Sequence, residues 1–185
     1  MMMTTRIDSL TLIETELWQQ LELAARRSEH EWRTMALATV VRGEPQVRSV
    51  LLREVDAAAR ELVFFTDARA PKVAQLRAMP IGSLLCWSSR LGWQLRLRVQ
   101  LDVDASGLQA SSRWARLKLT PAAQDYLSPL PPGSPIAQHY EPQRATREHF
   151  AVVTAKVLSL DWLELHADGH RRARFGADGA QWLQP

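Results

Sequence analysis

The chain reads as a mainly β protein: an antiparallel barrel of Greek-key type with flanking helices and an N-terminal cover helix. Three observations carry this reading. Apolar, β-branched and aromatic runs of strand length recur from Met35 to Val103. They are joined as hairpins with one helix interposed, which favours an antiparallel barrel over a βαβ fold. Ahead of them, Leu10, Ile13, Leu17, Leu21 and Ala24 recur at helical spacing up to about Arg27, with Asp8 or Ser9 as N-cap candidates.

The strands expected after this cover helix are Met35 to Val41, Val47 to Val55, Leu62 to Thr66, Ile81 to Trp87 and Trp93 to Val103. A helix opens at Pro71 and ends near Ala78, because Pro80 disfavours helical geometry at Met79. Beyond Ala105 come two helical pieces, Leu108 to Lys118 and Pro121 to Tyr126, and then the proline-rich run Ser128 to Pro135, too short for an interdomain linker. It is either an ordered loop over a pocket or dimer seam, or a plain surface crossover. The last strands are Ala151 to Leu160, Trp162 to His166 and Arg171 to Phe175, with the tail from Gln181 to Pro185 returning to the barrel.

At 185 residues the chain is expected to form one domain, residues 1–185, with residues 1–8 as a tail. Its one cysteine, Cys86, lies in an apolar run and reads as a buried strand residue. No signal-peptide core and no membrane-length apolar run occurs, so the expected setting is reducing and cytoplasmic, without membrane contact. Of 23 basic residues only Lys72, Lys118 and Lys156 are lysines. Arginine suits phosphate and carboxylate recognition, although a GC-rich genome gives the same bias. The arginines are scattered rather than gathered in a stripe, so no nucleic-acid partner is expected. The histidines make no H-E-x-x-H motif and no metal is expected. Absence of G-x-S-x-G and G-x-G-x-x-G sets hydrolase and Rossmann chemistry aside.

The densest chemistry runs from Gln46 to Lys72. Two adjacent strands feed a helix whose first turn carries Pro71 and Lys72, and helix N-termini attract anions. Lys72 adds a full charge there and Arg48, on the neighbouring strand, a second one able to bind bidentately. Arg48 and Arg53 are expected on opposite faces unless a bulge intervenes. On composition alone, both could also be solvated strand-edge residues.

Together these residues resemble the pyridoxamine 5'-phosphate oxidase-like, FMN-binding split-barrel family. The matching runs are Arg48-Ser-Val-Leu-Leu-Arg53, Phe64-Phe65-Thr66-Asp67, Ala70-Pro71-Lys72, Met79-Pro80, Trp93-Gln94-Leu95-Arg96, and Trp162 with His170 and Arg172 eight and ten residues later. The resemblance implies a homodimer with FMN sites shared between subunits and a small-molecule substrate. It implies cofactor contacts from Arg48, Ser49, Val50, Leu51, Phe65, Thr66, Pro71, Lys72, Gln94, Trp162 and Arg172. Arg172 and His170 would stand at the flavin and substrate edge, and Arg53, His170 and Asp168 would face the substrate. A cation at the flavin pyrimidine edge would stabilise the negative charge of the reduced ring.

Several positions depart from the family pattern. Phe65 replaces a tyrosine, Pro71 an arginine, and Asp168 the arginine of R-L-H, while Y-F-x-x-R has no clear counterpart between Arg113 and Lys118. The sequence therefore points to a flavin-dependent oxidoreductase on a small substrate. Two rivals remain: a non-catalytic flavin or haem module, and a true pyridoxamine 5'-phosphate oxidase.

Overall fold

The computed structural model describes residues 6–136 and 148–185. Helix α1 (Leu10–Arg26) is followed by strands β1 (Thr34–Val41), β2 (Glu44–Asp56) and β3 (Glu61–Asp67), helix α2 (Pro71–Ala78), strands β4 (Ile81–Ser88) and β5 (Trp93–Asp104), helix α3 (Leu108–Leu117), and strands β6 (Phe150–Glu164), β7 (Arg171–Gly176) and β8 (Gly179–Leu183). Every strand pairing is antiparallel. The ladder runs β3-β2-β1-β4-β5-β6-β7-β8, and a further β3–β6 pairing closes β1 to β6 into a ring. The β3 to β4 connection through α2 skips two strands, which is Greek-key order.

Two expected strands prove to be one. Residues 150–164 form a single β6 whose register against β5 shifts where Arg98 pairs Ser159 and Val99 pairs Val157, leaving Leu158 as the extra residue of a bulge. Ala151, Val153, Ala155 and Val157 are buried before it, and Leu160, Trp162 and Glu164 after it, so the inward face changes from odd to even positions. The expected tail at Gln181 is likewise strand β8, joined to β7 by a tight hairpin through Ala177 and Asp178, with Gly179 at φ +100.

The main core fills the ring. Ile13, Leu17, Leu21 and Ala24 of α1 are fully buried against it, which is the helical stripe the sequence shows. A second cluster packs on the outside of β3 and β6, where Val63, Phe150 and Val152 meet Ala110 of α3 and Tyr126. The segment Leu62-Val-Phe-Phe65 is therefore covered on both faces. Residues 1–5 of the expected tail lie outside the described residues. Arg6 forks onto Glu164 and Gly169 O, and Ile7 packs against the core.

A single carboxylate holds the turn between β4 and β5. Glu31, in a 3-10 turn before β1, accepts hydrogen bonds from the Ser88 and Ser89 hydroxyls and from the Ser89 and Arg90 backbone N–H groups. These donors, the Ser88 hydroxyl first, hold its pKa down to about 2. A carboxyl so lowered stabilises the fold fully above its ordinary range and loses that contribution as pH falls from about 4.5 towards 2. Glu31→Gln should therefore lower the urea midpoint at pH 7, and the gap from the parent should close by about pH 2. A gap independent of pH would refute the charged clasp.

Candidate functional site

Helix α2 lies across one end of the barrel, against β1 and β5, and its Gln75 reaches Arg48 of β2. Arg48 shares the inward face of β2 with Val50 and Leu52, and at this end it reaches out of the apolar core. It donates to Thr39 Oγ1 at 2.6 Å, Gln75 Oε1 at 2.7 Å and Leu37 O at 3.4 Å. Lys72, in the first turn of α2, donates to Thr66 Oγ1 at 3.0 Å. Neither cation bonds a carboxylate among the described residues. The nearest candidate, Asp67, is held by Arg69, which also donates to the carbonyls of Ser128 and Pro129 and so pins the proline-rich loop beside α2.

Burial, and then the charge of Arg48, pull the Lys72 pKa below its ordinary value, while Asp67 opposes them weakly. Burial also lowers the Arg48 pKa. Two part-buried cations that repel each other, with only neutral acceptors at hand, form a cradle suited to an anion. Pro71 occupies the first position of α2, and the helix has no side-chain N-cap and no acidic residue in its first turn. The donor set thus fits a phosphate monoester.

A second group lies on the outer face of the sheet. Trp87, Gln94, Leu163 and Arg172 are successive cross-strand partners on β4, β5, β6 and β7. Gln94 and Arg172 are thus about 10 Å apart at the backbone, two strand spacings. Arg172 donates Nε to Asp161 Oδ1 at 3.0 Å and Nη2 to Oδ2 at 2.8 Å. Trp162, expected at the flavin border, is wholly buried in the core, edge-on to Trp93, with Nε1 unpartnered among the described residues. The bulge at Leu158 turns this residue inward. Its neighbour Asp161 therefore faces out.

The substrate candidates divide between two places. Arg53 falls at the β2 bulge, between Leu52 paired with Phe64 and Glu54 paired with Val63. It lies 5.7 Å over the Phe65 ring, beside Tyr126, and faces away from Arg48 as strand alternation predicts. Its Nε is buried without an acceptor among the described residues. Arg113 of α3 is bound to Glu54 at 2.6 Å. His170 and Asp168 sit instead in the exposed β6–β7 turn, where the His170 and His166 Nδ1 atoms accept backbone N–H groups from His166 and Asp168. No contact joins this turn to Arg53 among the described residues. No cluster of potential metal ligands occurs there either, and His139 lies outside the described residues.

Of the remaining cofactor candidates, Thr66 is buried, Ser49 exposed and Leu51 half-buried beside the cradle, while the Val50 side chain belongs to the core. Three partners escape sequence reading: Thr39, Gln75 and Asp161. Gln75 could be found from its position three residues after Lys72 on one helix, and Thr39 as the polar member of an inward alternation; Asp161 depends on the bulge.

A family model described as pyridoxamine 5'-phosphate oxidase, FMN-binding domain, matches residues 15–104. The match includes Arg48, Thr66, Lys72 and Gln94 but ends before Asp161 and Arg172. The chain is 28% identical over 183 residues to a pyridoxine/pyridoxamine 5'-phosphate oxidase of Granulibacter bethesdensis, covering 90% of this chain and 85% of that one. It is 33% identical to a pyridoxine/pyridoxamine 5'-phosphate oxidase of Chromohalobacter salexigens over 101 residues, 54% of this chain and 46% of that one. Two solved structures share the fold. A pyridoxamine 5'-phosphate oxidase-related, FMN-binding protein of Nostoc punctiforme has a TM-score of 0.74 at 21% identity, covering 92% of this chain and 96% of its own. PhzG of Burkholderia lata, solved with tetrahydrophenazine-1-carboxylic acid, has 0.74 at 18% identity and 98% coverage of both.

The crowded cations have a measurable cost in the absence of ligand. Lys72→Met should raise the melting temperature of the FMN-free protein, with a gain on the scale of about 0.5–2 kcal/mol, while weakening phosphate binding. Calorimetry without ligand is the check. A lowered melting temperature would show that Lys72 is not strained.

Proposed function

We propose that the chain is a homodimeric FMN-dependent oxidoreductase acting on a small substrate in the cytoplasm. The observation that carries the reading is the Arg48 and Lys72 cradle, two part-buried cations without a carboxylate partner, inside a matched FMN-binding domain. In this reading Arg48 and Lys72 hold the FMN phosphate, assisted by Thr66, Pro71 and the β2 backbone from Ser49 to Leu51. When bound, FMN supplies two-electron chemistry. Gln94 offers an amide to the ring, and Arg172 stands at its pyrimidine edge.

Two features support a site shared between subunits. The cradle lies at the barrel end and the Gln94–Arg172 row on the outer face of the sheet, so one protomer does not gather them. That outer face also exposes Val47 at 67% and Trp87 at 43%, beside the small residues Ala36, Ala38 and Ser49, an apolar surface suited to a second copy. Among the described residues no helix is long and apolar enough to cross a membrane.

A non-catalytic flavin or haem module is the second reading, and the pairing of Arg113 with Glu54 favours it, because it removes a cation from the side on which Arg53 would meet a substrate. The visible spectrum separates the ligands: flavin bands near ~450 nm support FMN, and a Soret band would indicate haem. Arg48→Ala should weaken FMN binding by about 1.5–3 kcal/mol, the scale of a charged hydrogen bond, read by fluorescence titration. Unchanged affinity would move the phosphate elsewhere, and a monomer with full affinity would overturn the shared site.

Turnover of pyridoxamine 5'-phosphate should be weak or absent despite bound FMN. Asp168 adds a carboxylate where a cation would serve, and Arg113 is taken up by Glu54. Asp168→Arg alone should restore little. Oxygen consumption with that amine decides: an efficiency of about 10⁴ M⁻¹s⁻¹ or more would make the chain a true vitamin-forming oxidase.

A further inference from the structure

Asp161 is the one acid in a surface cavity of about 310 Å³ whose charged lining is otherwise Arg96, Arg98, Arg172 and Arg174. Its neighbours Leu160 and Trp162 are buried in the core, so strand alternation fixes its side chain on the outer face. Arg96 on β5 and Arg174 on β7 are its direct cross-strand partners. Arg96 donates Nη2 to Asp161 Oδ2 at 2.5 Å, and Arg172, one diagonal step away, grips both carboxylate oxygens. The two arginines outweigh the burial of the carboxyl and lower its pKa, so the group stays ionised at neutral pH.

The fork has a geometric consequence. A guanidinium carries five N–H donors in one plane. Asp161 takes the Nε–H and one Nη2–H of Arg172 and leaves the Nη1 edge without a protein acceptor among the described residues. A planar group held along one edge presents the opposite edge in a fixed direction. It also presents less net charge than a lone arginine, because the carboxylate sits against it.

We propose that Asp161 is a positioning residue that aims the free edge of Arg172 and moderates its charge, thereby setting how strongly the site prefers reduced over oxidised FMN. This rests on the reading that puts Arg172 beside the flavin. The two residues then act with opposite sign. Loss of Arg172 removes the cation that stabilises the reduced ring, whereas Asp161→Asn keeps the side-chain volume and one acceptor oxygen for Arg172 and removes the anion that offsets this cation.

The test is the affinity of the protein for reduced against oxidised FMN, obtained from the midpoint potential of bound and free cofactor. Asp161→Asn should raise the ratio of these affinities roughly three- to tenfold, tenfold being about 30 mV for a two-electron couple. Arg172→Leu, measured alongside, should lower it. An unchanged ratio, or a fall like that of Arg172→Leu, would mean that the Asp161 charge does not moderate Arg172, and either result overturns the proposal. If Arg172→Leu leaves the ratio unchanged, the placement of Arg172 itself fails and the role of Asp161 falls with it. Arg96→Gln, at a half-exposed side chain, keeps the test open should Asp161→Asn fold poorly. It frees Asp161 to offset Arg172 more fully and should lower the ratio; no change would overturn the proposal.

Discussion

The structure depends on one strand that serves two neighbours along its first half. Between Val152 and Lys156, β6 pairs with β3 on one side and β5 on the other, and this double pairing closes the ring. A closed ring has no free edge among its own strands. It also fixes the distance across each mouth. The α2 crossover packs across one end against β1 and β5, which brings Lys72 of the helix towards Arg48 of β2. Without closure, nothing would keep a half-buried ammonium close to a guanidinium that repels it. The anion cradle is therefore a consequence of topology, and folding energy from the core sustains its electrostatic strain.

Much of this architecture was legible because burial imposes periodicity. The cover helix followed from its apolar stripe and β3 from a continuous apolar run, which the second cluster outside the ring explains. What failed was the face of β6. Read with an uninterrupted alternation, Asp161 looked like a break between two strands, when the bulge at Leu158 had moved the inward register by one. The β7–β8 hairpin was missed although Ala177-Asp-Gly179 is a turn signal, since its strands are short and mostly polar.

The site shows the same division. Arg48 and Lys72 were found from local chemistry, a strand beside a helix start, and the structure brings them together. Their neutral partners Thr39 and Gln75 were not, because side-chain partners across strands follow from register rather than composition. Trp162 shows the limit of spacing: its distance to His170 and Arg172 matches the family, yet one bulge decides that the indole packs inward against Trp93. Spacing in a strand identifies a residue's row, and only the register identifies its face.

Arg171 and Arg172 make the point in adjacent residues. Arg171 shares the inward parity of Ala173 and Phe175; it binds Glu164 and Asp8 and lies 5.6 and 5.9 Å from the Trp162 and Trp182 rings. Arg172 faces out with donors to spare. Arg6, Arg69, Arg113 and Arg171 are likewise all matched to carboxylates, so the formal net charge of +3 says little about where an anion would go. What matters is which cations the fold leaves uncompensated. Arg48 and Lys72 are held by neutral acceptors at one barrel mouth, and Arg98 and Arg174 have no carboxylate partner, among the described residues, around Asp161 on the outer face. The fold thus leaves uncompensated cations at two defined places, one at the barrel mouth and one on the outer face, and their position rather than the net charge is what suits them to an anion.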